Sequence, residues 1–141
     1  MRTILLGTGP IVASLVADDP HHTLVCEGFG RLAGKLLTTG AVVTESMFFL
    51  QDLPDGPARL VDWLARIKAK IVDCFSFRHL HEAAELMARY ADTPMDFADA
   101  SLVLTAGHLD CADILTLDER GFRTFRFNRT KRFRLLLQEH P

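Results

Sequence analysis

A carboxylate is costly to keep in apolar surroundings unless something offsets its charge, and this chain places four acids in such settings. Glu45 stands within Ala41-Val42-Val43-Thr44-Glu45-Ser46-Met47-Phe48-Phe49-Leu50, either as an exposed residue or as a buried charge. Asp96 and Asp99 belong to Met95-Asp96-Phe97-Ala98-Asp99-Ala100-Ser101-Leu102-Val103-Leu104, which is apolar on every side apart from these two and Ser101. Asp118 closes the apolar run Ala112-Asp113-Ile114-Leu115-Thr116-Leu117. Asp96 also has a plain structural role open to it: with Thr93 as N-cap and Pro94 at the first position, it completes a capping box. Asp99 is expected a turn deeper, beyond capping reach, which leaves it for function. Asp118 is either a ligand at a strand end or a turn residue before Glu119-Arg120-Gly121.

Carboxylates gathered within a few ångströms repel one another and raise each other's pKa unless a cation offsets them. Mg²⁺ or Mn²⁺ is the natural choice, since hard oxygen ligands suit both and Mg²⁺ binds through a few carboxylates plus substrate phosphate. The chemistry that follows is metal-assisted hydrolysis of a phosphodiester.

The elements that must position these acids alternate. Strands are expected over Arg2 to Thr8, Leu36 to Thr39, Lys70 to Phe75, Ala112 to Leu117 and Arg123 to Phe127. Helices are expected from Pro10 to Ala17, His21 to Lys35, Ala41 to Leu50, after the Asp52–Pro57 turn cluster to Ala69, Arg78 to Tyr90, and from Pro94 to His108. In the fifth of these, Leu80, Ala83, Ala84, Leu86, Met87 and Tyr90 are expected to face inward. Strands alternating with helices imply right-handed crossovers and a mainly parallel sheet of four or five strands covered on both faces. In such sheets ligands bind beyond the carboxyl ends of the strands.

With 48% apolar and 24% charged residues, the 141-residue chain has enough apolar material for the core of one domain, 1–141, and disorder is set aside. Cys26, Cys74 and Cys111 form no C-x-x-C pair, so they read as reduced, mostly buried thiols of a cytoplasmic protein. Gly7-Thr8-Gly9-Pro10 breaks the first apolar run, which argues against a signal peptide, and no stretch has the ~18 apolar residues of a membrane span. His21-His22 and His79-x-His81 lack zinc-ligand spacing and read as surface histidines. Gly7-x-Gly9 and Gly28-x-Gly30 belong to no dinucleotide-binding fingerprint. A phosphatase would need a nucleophile near a strand end, and neither Cys74 nor Asp118 has a supporting motif. Met47 to Leu50 and Trp63 read as core or as a dimer face.

Net charge is −2 but unevenly spread. Residues 1–119 hold 9 basic and 17 acidic groups, net −8, whereas residues 120–141 hold 7 basic and 1 acidic, net +6. Arg120, Arg123, Arg126, Arg129, Lys131, Arg132 and Arg134 follow directly on Asp118, so positive charge is expected beside the acids. It would suit an RNA backbone, an acidic protein partner, or a solvated edge strand with Phe125 and Phe127 turned inward.

Ile4-Leu5-Leu6-Gly7-Thr8-Gly9-Pro10-Ile11-Val12-Ala13 resembles the first strand and turn of PIN domains, commonly written L-L-D-T-G-P-L-V-A. Val43-Thr44-Glu45 resembles the helix carrying that family's glutamate. Asp96-Phe97-Ala98-Asp99-Ala100 and Ile114-Leu115-Thr116-Leu117-Asp118-Glu119-Arg120-Gly121-Phe122 resemble its third and fourth acidic stations. The pieces run in order over residues 3 to 127, and the toxin nucleases of VapBC-type toxin–antitoxin pairs are the members they resemble most.

The resemblance implies a three-layer α/β/α fold and a Mg²⁺- or Mn²⁺-dependent endoribonuclease, paired with an antitoxin and dimeric through its early helices. Glu45, Asp99 and Asp118 match the acidic pattern, and Asp96 is an additional acid. Thr8 and Thr116 would hold a water or orient a carboxylate. Gly7 departs from the pattern, standing where the family has its first aspartate. Either a water and Asp96 compensate, or activity is impaired, or glycine here is an inactivating substitution. The alternative reading is a catalytically silent PIN-like binding protein.

Overall fold

Strand β1 (Thr3–Leu6) is the hub of the molecule, with Ile4, Leu5 and Leu6 all buried. Successive strand side chains point to opposite faces, so three buried residues in a row mean that both faces are covered. The computed structural model describes residues 2–139; Met1, His140 and Pro141, the ends of the expected 1–141 domain, lie outside the described residues.

After β1 come α1 (Thr8–Leu15), α2 (His22–Arg31), β2 (Lys35–Thr39), α3 (Gly40–Leu50), α4 (Gly56–Arg66), β3 (Lys70–Val72) and α5 (Phe77–Arg89). They are followed by α6 (Phe97–Leu109), β4 (Asp113–Leu115), α7 (Glu119–Thr124), β5 (Arg126–Phe127), β6 (Lys131–Arg132) and β7 (Arg134–Leu135). Five strands form one sheet in the order β3-β2-β1-β4-β7, with every pair parallel. This is the expected mainly parallel sheet flanked by helices.

The chain runs outward from β1 to β2 and β3, then returns to lay β4 on the other side of β1. The order therefore reverses between β1 and β4, where a parallel sheet opens a crevice beyond its carboxyl ends.

Several boundaries follow local chemistry that the sequence reading placed differently. Helix α1 begins at Thr8, so Pro10 is its third residue; the first four helical N–H groups lack intrahelical partners, and a proline costs nothing there. Gly56 opens α4 because no other residue fits: a Cβ there would lie 1.9 Å from the Leu50 carbonyl oxygen. Along α5, Ala83 and Leu86 are buried and Tyr90 half-buried, but Leu80, Ala84 and Met87 are exposed, since α5 packs mainly on α6. Cys74 and Cys111 are buried, whereas Cys26 is exposed on α2.

The largest departure is at the C-terminal end. Arg123 to Phe127, expected as a final strand, is split. Asp118 caps α7 by accepting from Gly121 N at 3.0 Å, and Glu119 pairs with Arg123 one turn on. Only Arg126–Phe127 remains extended, and it pairs antiparallel with Lys131–Arg132 outside the main sheet. The fifth sheet strand is instead Arg134–Leu135. Phe125 and Phe127 do face inward, joining Phe122 and Phe133 in an aromatic cluster of edge-to-face and tilted pairs with ring centroids 5.1–5.2 Å apart.

Candidate active site

Leu6 pairs with Leu115, and Gly7 N donates to the Leu115 carbonyl at 3.0 Å, so β1 and β4 end level with each other. Gly7 and Thr8 leave one strand, and Thr116, Leu117 and Asp118 leave the other. Thr116 is buried, and its hydroxyl accepts from Asp118 N at 3.0 Å, which turns the chain so that Asp118 starts α7.

Two helices bring the remaining acids. Helix α3 is capped by Thr39, whose hydroxyl accepts from Val42 N at 3.2 Å and bonds Ser101 Oγ on α6 at 2.7 Å. Ser101 is buried, with its Oγ also 2.6 Å from the Ala98 carbonyl. This hydroxyl link fixes α3, which carries Glu45, against α6, which carries Asp99.

The start of α6 corrects the sequence reading. Its N-cap is Asp96, not Thr93, and the helix begins at Phe97. Asp96 Oδ1 accepts from Asp99 N at 2.8 Å, and Asp99 Oδ2 accepts from Asp96 N at 3.3 Å. Asp99 is thus within the capping box rather than beyond it. Met95, immediately before the cap, is buried; the core holds it and delays the helix past Pro94.

All four acids, Glu45, Asp96, Asp99 and Asp118, line one cavity of about 430 Å³, together with Gly7, Thr8 and Thr116. No basic side chain is among the lining residues. The electrostatic consequence is plain. Burial pushes the Asp99 carboxyl up to about 8, reinforced by the charges of Asp96 and then Asp118. Glu45 is also raised, first by burial and then by Asp96, while the nearby Thr8 hydroxyl opposes the rise. Thr8 Oγ1 is itself buried without a hydrogen-bond partner of ordinary geometry.

Hard oxygen donors, a carboxyl driven to hold its proton and an unpartnered hydroxyl together fit a divalent cation such as Mg²⁺ or Mn²⁺. Among the described residues, no three such groups converge closely enough to cage an ion as they stand. The capping box turns Asp96 and Asp99 toward each other's backbone, and Asp118 is engaged by Gly121 N.

Gly7 supplies no ligand, yet its backbone does not require glycine. Its φ of −91° and ψ of 174° suit any residue. A Cβ there would meet Leu115 O at 3.4 Å, Leu102 Cδ1 at 3.7 Å and Thr116 Oγ1 at 4.0 Å, all ordinary contacts.

One acid of this cavity was not singled out from the sequence. Asp19, after α1, lines the rim, and its carboxylate accepts from His21 N at 2.8 Å. Asp19-Pro20 reads as a helix start, and no spacing linked it to the others.

The basic tail divides. Arg123, Arg132 and Arg134 line a groove beside β7, and a second groove links Arg123 to Leu117 at the edge of the acidic cavity. Lys131 instead pairs with Asp110 at the far end of α6, and Arg126 turns to the carbonyls of Arg123, Thr124 and Phe125.

The sequence profile of the PIN domain matches residues 4–128, which spans every element from β1 to the start of the β5–β6 turn. The chain belongs to the PIN-domain family. Among curated relatives it is 26% identical over 125 residues to Ribonuclease VapC26 of Mycobacterium tuberculosis, an alignment covering 87% of this chain and 92% of that protein. Two solved structures share its PIN fold. One is M. tuberculosis VapC20, a Sarcin-Ricin loop cleaving toxin (TM-score 0.71, 17% identity, 82% of this chain and 89% of that one). The other is FitAB bound to an IR36 DNA fragment (TM-score 0.60, 18% identity, 84% and 87%).

Proposed function

We propose that this PIN domain, a single domain over residues 1–141, is a Mg²⁺- or Mn²⁺-dependent endoribonuclease of the VapC toxin type. The observation that carries the proposal is that Glu45, Asp96, Asp99 and Asp118 line one cavity without a basic side chain, at the β1/β4 switch point of a PIN fold.

These four residues would hold the cation, with Asp99 giving up its proton to do so. When bound, such an ion supplies a nucleophilic water at neutral pH and offsets charge on a phosphoryl oxygen. Thr8 and Thr116 orient a water or a carboxylate at the strand ends. Phe49 and Phe122 line the same cavity. Arg123, reached from the cavity through Leu117, receives the RNA backbone leaving the site.

Within this reading the protein acts in the cytoplasm and is restrained by a cognate antitoxin. No helix among the described residues is long and apolar enough to cross a membrane. A homodimer through its early helices belongs to the same reading.

The test is Mn²⁺-dependent cleavage of a mixed RNA pool by this protein and by Gly7→Asp, each with and without chelator. Cleavage by both means that the four acids suffice. Cleavage by Gly7→Asp alone marks Gly7 as disabling an intact nuclease scaffold. Cleavage by neither favours the silent PIN-like binding protein, a reading supported by the missing side chain at Gly7.

A further inference from the structure

The acidic cavity has an aromatic neighbour. A groove of about 480 Å³, within the ~300–1,000 Å³ of small-ligand sites, shares Glu45, Phe49, Asp96 and Ala98 with it, so the two are separated only by those side chains. Its apolar lining consists of phenylalanine rings and alanine methyls. Phe48, Phe49 and Phe75 are 64%, 56% and 51% exposed, a cost in water that a soluble domain seldom accepts in one place.

The rings meet in pairs. Phe48 and Phe49 meet edge-on with centroids 5.6 Å apart, and Phe75 leans on Phe97 at 6.0 Å with planes 39° apart. Phe75 also lies over Gly40 at the start of α3, where a Cβ would stand 2.6 Å from its ring. One side of Phe75 is therefore packed and the remainder is open.

We propose that this groove is a stacking subsite for an unpaired nucleobase of the RNA, adjacent to the nucleotide whose phosphate enters the acidic cavity. The inference rests on the ribonuclease reading. Three features favour a base over other occupants. The groove is continuous with the carboxylates, so its occupant lies within a nucleotide's length of them. Its lining is largely aromatic, and every base has a π-face to set against a ring. No basic side chain lines the groove, so it offers no cation to a phosphate.

The test is equilibrium binding of a short single-stranded RNA to the full-length protein in Ca²⁺, an ion that takes the same oxygen ligands, with an abasic site placed at each position in turn. Phe75→Ala and Phe48→Ala are expected to weaken binding of the intact strand about tenfold. One abasic position should weaken binding to the unaltered protein equally and have no further effect in Phe75→Ala. Phe75→Trp should preserve affinity, and Phe75→Leu, apolar but without a π-face, should not.

Equal binding of intact and abasic strands by all variants would overturn the subsite. If Phe75→Ala lowers the oligomeric state while RNA affinity stays constant, the groove is a contact between copies, and the subsite is overturned. If the unaltered protein binds and cuts RNA while the phenylalanine variants match it, only the subsite falls. If neither it nor Gly7→Asp binds or cuts RNA, the ribonuclease reading falls with it.

Discussion

Asp99 is where the electrostatics of the site become measurable. An unfolded Asp titrates at about 4, whereas in the fold burial and the Asp96 charge carry Asp99 to about 8. Between these values the folded state binds the extra proton. The resulting stabilisation is full below the unfolded pKa and is lost as pH rises through 8. Metal-free protein should therefore lose about 1–2 kcal/mol of unfolding free energy between pH 5 and pH 8.5, after allowance for partial exposure. Denaturant unfolding at the two values measures this, and Asp99→Asn should flatten the dependence.

The four acids were legible in the sequence because each interrupts an apolar pattern. The pairing of Asp96 with Asp99 was not, because Thr93-Pro94 offers a competing start signal three residues earlier. Burial of Met95 decides between them, and burial depends on the whole fold. Asp19 was illegible for a similar reason: its neighbours in the cavity come from remote segments.

At the level of elements, the site depends on how α3 is set against α6. The Thr39–Ser101 bond is buried; without the Ser101 hydroxyl, the Thr39 oxygen still accepts from Val42 N but its O–H loses its acceptor. Ser101→Ala should cost about 1–3 kcal/mol in stability. It should also weaken Mn²⁺ affinity, although Ser101 is not among the residues lining the acidic cavity. A Mn²⁺ affinity unchanged in a destabilised but folded variant would show that the link holds the fold without positioning the acids.

Elements were read best where the pattern is continuous and buried, as in Ile4 to Leu6 and Ile114-Leu115. They were read worst after Asp118. Alternation in Phe125-Arg126-Phe127 is a true strand signal, but a cap and an i, i+4 ion pair upstream shorten it to two residues. The sheet edge then passes to Arg134–Leu135, a strand too short for periodicity to announce.

Over the whole molecule, charge and topology agree. The sheet order reverses between β1 and β4, the acids gather beyond that reversal, and an arginine-lined groove lies beside β7, joined to the acidic cavity only through the groove between Leu117 and Arg123. The central claim is that this cluster is a divalent-cation site waiting for one more oxygen donor at Gly7. The most direct measurement is the melting temperature of the protein, of Gly7→Asp and of the double variant Asp99→Asn/Asp118→Asn, each titrated with Mn²⁺, because a ligand that binds only the native state stabilises it by mass action. Mn²⁺ should raise the melting temperature of the protein, do so at about tenfold lower concentration in Gly7→Asp, a gain of ~1.4 kcal/mol, and leave the double variant unmoved. A melting temperature indifferent to Mn²⁺ in both the protein and Gly7→Asp would contradict the claim.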